Sequence, residues 1–228
     1  MADSIVPVAL PITFSKVCEV VNQDLVGTNG RHLMGAGGQF AIATGIFDPT
    51  YVGTKDRLSN FRGYKHVFTA SVYVTSIPDT TNMTNPTNVI GVENGTYMCY
   101  TIPKNSGTHY GLQLGSFSIP TGATIIATQL FTKVYASVGV AVSEEAHVIE
   151  DSLGTLIAQY GVLPGIDDRL TTTPTSFDSG YTTGAPAALT VERANAGLIL
   201  YPEWFNRTDS PVDVCTDYYR YQLWWTVD

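Results

Sequence analysis

The side chains that could run chemistry are few and scattered. The four histidines, His32, His66, His109 and His147, lie far apart and share no motif. No nucleophile, base and orienting group can be read from their order. Glu144 and His147 form a lone i, i+3 pair. A carboxylate-bridged metal centre needs that pair repeated, so a solvated helix face is the expectation. Gly35-Ala36-Gly37-Gly38 leads into a strand instead of joining a strand to a helix, and no Lys-Ser/Thr follows. That removes a phosphate loop. Asp167, Asp168 and Asp178 lack the spacing and terminal Glu of a calcium-binding loop. No facing pair of carboxylates for glycoside hydrolysis can be identified. The sequence therefore points to no catalytic residue, no metal site and no cofactor, and no enzyme is expected.

Two other residue sets remain. Cys18, Cys99 and Cys215 show neither a C-x-x-C pair nor zinc spacing, which leaves small core residues or one disulfide of unassigned pairing. Aromatic side chains near the C-terminus, Trp204, Phe205, Tyr218 and Trp224, together with Arg220, are candidates for an exposed contact surface. In β proteins such residues serve as core or interface anchors, or line a sugar-binding face.

Composition narrows what such a surface can meet. The net charge is -8 with 12 basic residues in 228, and neither terminus carries a basic arm. A protein that neutralises phosphates needs clustered Lys and Arg, so direct nucleic-acid binding is not expected. Charged residues make up 14% against roughly 25% in an average soluble protein. The polar surface is supplied by Thr, Ser, Asn and Gly, which suit turns and sheet faces. Pro7 and Pro11 interrupt the only apolar stretch near the N-terminus, so no signal peptide is read there. No run reaches the ~20 apolar residues of a membrane span. The N-x-[ST] matches at Asn82, Asn94 and Asn206 are then incidental.

The elements that position these residues are mostly strands. Gln39 to Phe47 reads as a first strand. Tyr64 to Ile77 alternates, with Val67, Thr69, Ser71, Tyr73 and Thr75 on one side and Phe68, Ala70, Val72, Val74 and Ser76 on the other. Further strands are expected at Thr96 to Ile102, Gly111 to Ser118 and Thr124 to Val142, the last bending near Ala136 to Gly139. In the strand from Asp217 to Val227, Tyr219, Tyr221, Leu223, Trp225 and Val227 share the core face. Tyr218, Arg220, Gln222, Trp224 and Thr226 share the other. One helix is expected over Glu144 to Tyr160, capped by Ser143 and Gly161, with Val148, Ile149, Leu153, Leu156, Ile157 and Tyr160 as its apolar stripe. Gly154 weakens its middle. The chain is thus expected to be an all-β antiparallel sandwich with one short helix. Residues 1–34 form an extended arm, and residues 35–228 form the domain with a long loop near 164–188.

Leu58-Ser59-Asn60-Phe61-Arg62-Gly63-Tyr64-Lys65 and the alternating strand after it resemble the entry to the third strand of the jelly-roll capsid fold. The resemblance covers Gln39 to Val227 and implies that the sandwich is a single jelly roll. Among such proteins, an acidic chain without a basic arm resembles the major capsid proteins of icosahedral viruses with an internal membrane. Those with upright single β-barrels include viruses of halophilic archaea. The resemblance implies a virion protein, made in the host cytoplasm, that tiles a shell by self-association and with a second capsid protein. It would sit near a membrane without inserting. The alternative expectation is a receptor- or glycan-binding jelly-roll module, and a third is a β-sandwich enzyme.

Overall fold

A computed structural model describes Val6, Val8, Ala9, Lys16, Val17, Val20 and residues 45–51, 61–108, 110–139, 141–161 and 170–227. Most of the expected arm, most of the first strand from Gln39, the glycine cluster at 35–38, and Cys18, His32, His109, Asp167 and Asp168 lie outside the described residues. The described chain divides into two compact units, one of residues 1–69, 122–124 and 224–228, the other of 70–121 and 125–223.

The first unit is held by an aromatic cluster and short backbone ties. Phe47, Phe61 and Tyr64 meet with ring centroids 4.8–5.7 Å apart. Val6 donates its N–H to Tyr64 O and accepts from Gly63 N, both at 2.9 Å. Ile46 and Lys65 form an antiparallel bridge. A glycine is required at 45, because a Cβ there would meet the Lys65 carbonyl oxygen at 2.1 Å. Trp225 stacks on Phe68 at 6.0 Å.

The second unit is an antiparallel β-sandwich. The strands along the whole chain are β1 (Phe68–Ser76), β2 (Met83–Thr84), β3 (Met98–Ile102), β4 (Ser106–Gly107), β5 (Leu112–Leu114) and β6 (Ala123–Ala136). After them come β7 (Val142–Asp151), β8 (Leu156–Tyr160), β9 (Thr175–Asp178), β10 (Thr182–Thr183), β11 (Leu198–Asn206) and β12 (Val212–Val227). One sheet contains β2, β3, β12 and β6, with β9 and β10 pairing to β6. The other contains β1, β5, β11, β7 and β8, with β4 pairing to β11. The chain crosses between the sheets from β1 to β2, β3 to β4, β5 to β6, β6 to β7, β8 to β9, β10 to β11 and β11 to β12. This repeated crossing is the jelly-roll pattern, so the expected fold class holds. Alternation explains the elements: Val72 and Val74 of β1, Met98, Tyr100 and Ile102 of β3, and Tyr219, Tyr221 and Leu223 of β12 are all buried.

The expected helix over Glu144 to Tyr160 is instead the β7–β8 hairpin, paired from His147↔Tyr160 to Glu150↔Leu156. Its apolar residues recur at helical spacing by coincidence, because a four-residue connection interrupts two strands. Gly154, φ 77°, sits in that connection, where a side chain would be strained. The Asp151 carboxylate accepts the N–H groups of Leu153 and Thr155, each at 2.9 Å. The short helix is α1 (Val191–Ala196), entered through Thr190, whose hydroxyl accepts Arg193 N at 3.3 Å. The expected loop near 164–188 also carries structure, since β9 and β10 lie within it and extend the β6 edge. The last strand begins earlier than Asp217, at Val212.

Cys99 and Cys215, direct partners across β3 and β12, form a disulfide, which replaces the reading of both as free core thiols. It closes a loop of 116 residues in sequence. Replacing both cysteines by serine should lower unfolding free energy by about 2–5 kcal/mol, the usual cost for a long loop. Chemical denaturation checks this, and an unchanged midpoint would exclude that contribution. Backbone donors, above all Thr155 N–H, hold the Asp151 carboxyl below its ordinary value of 3.8. That stability is present above the unfolded value and is lost as pH falls through the folded one. Asp151→Asn should therefore be less stable than the parent at neutral pH, and the gap should close as pH drops below 3.8.

Candidate binding face

The outer face of the β6–β12 sheet carries a small group of tyrosines, Tyr97, Tyr135 and Tyr218. On β6, strict alternation turns Leu130, Thr132 and Val134 inward and leaves Phe131, Lys133 and Tyr135 half-buried on the outside. Arg220 on β12 is half-buried, and Tyr218 is buried with its ring close to the charged groups of this face. Thr132 Oγ1 donates to Tyr218 O at 3.0 Å, so the two strands are locked side by side here. The segment before β3 brings Glu93 and Tyr97 to the same place.

The contacts define a surface of aromatic rings edged by charges. Tyr97 and Tyr135 meet edge to face, with centroids 5.0 Å apart. Lys133 Nζ donates to Glu93 Oε1 at 2.6 Å. The Arg220 guanidinium lies over the Phe131 ring, 3.7 Å from its centroid. Asp217, fully buried, accepts the N–H groups of Asn94 at 3.1 Å and Gly95 at 3.0 Å. The disulfide lies two residues from both Tyr97 and Asp217 in sequence and fixes β3 against β12 at that point.

Electrostatics keep this face in one protonation state near neutrality. Desolvation raises the Tyr97 phenol above its ordinary value, with Asp217, Tyr135 and Glu93 adding to the shift against Lys133. Desolvation likewise raises Tyr218, with Glu93 adding and Arg220 opposing. The hydrogen bond to Glu93 raises Lys133. The phenols are therefore neutral and Lys133 is charged. No group of three or more metal-ligating side chains occurs among the described residues. The arrangement offers ring faces and hydrogen-bonding groups without a nucleophile–base pair.

Of the residues singled out from sequence, Tyr218 and Arg220 belong to this face. Trp204 does not: it is fully buried, edge to face with His147 at 5.2 Å, so it cannot form an exposed platform. It occupies an inward position on β11, a strand that sequence reading missed. Phe205, its neighbour, is half-buried on the outside of the other sheet, with Arg207 5.4 Å from its ring centre. An open groove of about 560 Å³ lies there, lined in part by Glu145, Glu203 and Arg207. Trp224 is half-buried and falls in the first unit. His147, expected on a solvated helix face, is instead buried in β7 against Trp204 and Tyr219. Sequence reading missed Glu93, Tyr97, Phe131, Lys133, Tyr135 and Asp217. The signal for Phe131, Lys133 and Tyr135 was present as a period of two within a strand already assigned.

Neither a protein-family model nor a curated protein matches the chain. Solved structures similar to it include carbohydrate-binding modules. One, described as "CBM4 structure and function", is 16% identical, with 57% of this chain and 87% of that one covered, at TM-score 0.33. The N-terminal cellulose-binding domain of Cellulomonas fimi β-1,4-glucanase C is 12% identical, with coverages of 75% and 91%, also at 0.33. The C-terminal CBM6 of LamC from Zobellia galactanivorans is 10% identical, with coverages of 68% and 98%, at 0.31. At these TM-scores the comparison carries no argument, and the chemistry of the face rests on its own residues.

Proposed function

We propose that the chain is a non-catalytic binding module whose outer β6–β12 face takes a carbohydrate. The observation that carries this is the joining, on one sheet face, of the Tyr97–Tyr135 pair to the Lys133–Glu93 ion pair. A sugar ring has an apolar face of C–H groups and an edge of hydroxyls. Aromatic rings cover the first, and charged side chains exchange hydrogen bonds with the second. An aromatic pair packed side by side on a rigid sheet loses little conformational freedom on binding. The shell-protein reading would use the same surface as a lateral contact. No feature of the described residues favours it, and the similarity to the VP2 particle of infectious bursal disease virus, at TM-score 0.14, carries no argument.

Titration calorimetry of the whole chain against neutral and acidic oligosaccharides tests the proposal. Binding should occur with the protein monomeric by light scattering. Tyr135→Ala and Tyr97→Ala should each weaken it about tenfold or more, the effect of losing about 1.4 kcal/mol or more. A chain that binds no glycan and instead assembles into large particles would overturn the reading. Because the Tyr97 and Tyr218 phenols titrate above the ordinary value of 10.0, affinity should not fall through ionisation of either as pH rises to that value.

Asp217 is a positioning residue, since it holds the turn that presents Glu93 and Tyr97. Asp217→Ala strands two N–H groups, at roughly 1–3 kcal/mol each. Amide exchange at Asn94 and Gly95 should accelerate, and glycan affinity should fall without loss of the fold. Unchanged exchange at those two amides would contradict the role.

A further inference from the structure

Among the described arginines of the second unit, the one on the proposed face differs from the others in its pairing. Arg193 Nε pairs with Asp151 at 3.3 Å, and Arg207 pairs with Glu145 at 3.1 Å. Arg220 has no carboxylate partner among the described residues. Its guanidinium is pinned over Phe131, and its Nε is buried without a hydrogen-bond partner. The acids near it are engaged elsewhere. Glu93 takes Lys133, Asp217 takes the N–H groups of Asn94 and Gly95, and Asp178, which faces Phe131 across β9 and β6, takes Gly180 N at 2.8 Å. A stacked guanidinium spends its flat face on the ring and keeps its N–H donors along the edge. In that edge-on form it matches the two oxygens of a carboxylate or sulfate.

We infer that Arg220 makes the face selective for an anionic glycan, one bearing carboxylate or sulfate groups. This rests on the carbohydrate reading of the face. The net charge of -8 repels polyanions in general. Selectivity for an acidic sugar therefore requires a local cation, and Lys133 is already neutralised by Glu93. Phe131 fixes where that cation stands. A flexible, fully solvated arginine would contribute little, whereas one held by a ring and half-buried is already oriented when the ligand arrives.

The test uses the full chain and three oligosaccharide probes of matched length: an oligogalacturonate, a sulfated galactan fragment and a neutral cello-oligosaccharide. At least one acidic probe should bind about tenfold or more tighter than the neutral one, and the difference should shrink as salt is raised. The two acidic arms distinguish carboxylate from sulfate. Arg220→Gln should abolish the preference, while Arg220→Lys should retain part of it. Lys104→Ala, an exposed lysine outside the face, is the control for net charge. Thermal melting of each variant establishes that the fold survives. Equal affinity for all three probes, or a preference that survives Arg220→Gln, would overturn this inference and leave the glycan reading standing. Binding to none of the probes would overturn both.

Discussion

The pairing of β12 constrains everything else in the sandwich. Its sixteen residues border β6, β3 and β1, so its backbone groups are satisfied only if those strands hold their places. Its inner face carries Tyr219, Tyr221 and Leu223 into the core, and its outer face carries Arg220 to the surface. A slip of one residue would exchange these two sets, burying the guanidinium and exposing the rings. The disulfide between Cys99 and Cys215 holds β12 to β3 at one point of that register.

Burying tyrosines creates a second demand, because each phenol taken from water needs a partner. Tyr221 and Tyr160 meet it together. Tyr160 OH donates to Tyr221 OH at 3.1 Å and shares a 2.7 Å hydrogen bond with Thr128 Oγ1. The chain of three hydroxyls ties β8, β6 and β12, so it fixes strand positions that apolar packing alone would leave free to shift. Asn206 does the same at another end of the sandwich. Its amide donates to Ile102 O, Pro103 O and Ser210 O, and its oxygen accepts from Thr208. Such groups are costly if misplaced, which is why they specify one arrangement.

The same strands that need this order supply the proposed binding face. Alternation gives β6 an inward set that packs and an outward set that is free to meet a ligand. The functional reading and the core thus draw on one periodicity, with opposite phases. Arg220 links the two, since its strand is fixed by the core while its charge stands over Phe131 on the outside.

By itself the sequence determined the class of the fold. Period-two alternation in β1 and β12, low charge and frequent Gly and Pro required an all-β sandwich, and the face assignments of Tyr218 to Trp225 followed from parity alone. It misread residues 144–160, because spacings of three and four occur in any hairpin whose turn breaks the alternation, and Gly154 was the sign of that turn. Tertiary structure alone decided the rest. It chose which cysteines pair, buried Trp204 while leaving Arg220 at the surface, and brought Glu93, Tyr97, Lys133 and Asp217 together from distant strands. Local periodicity sets which way a side chain points, whereas strand order sets its neighbours. That order depends on long-range backbone pairing, which leaves no short-range trace in the chain.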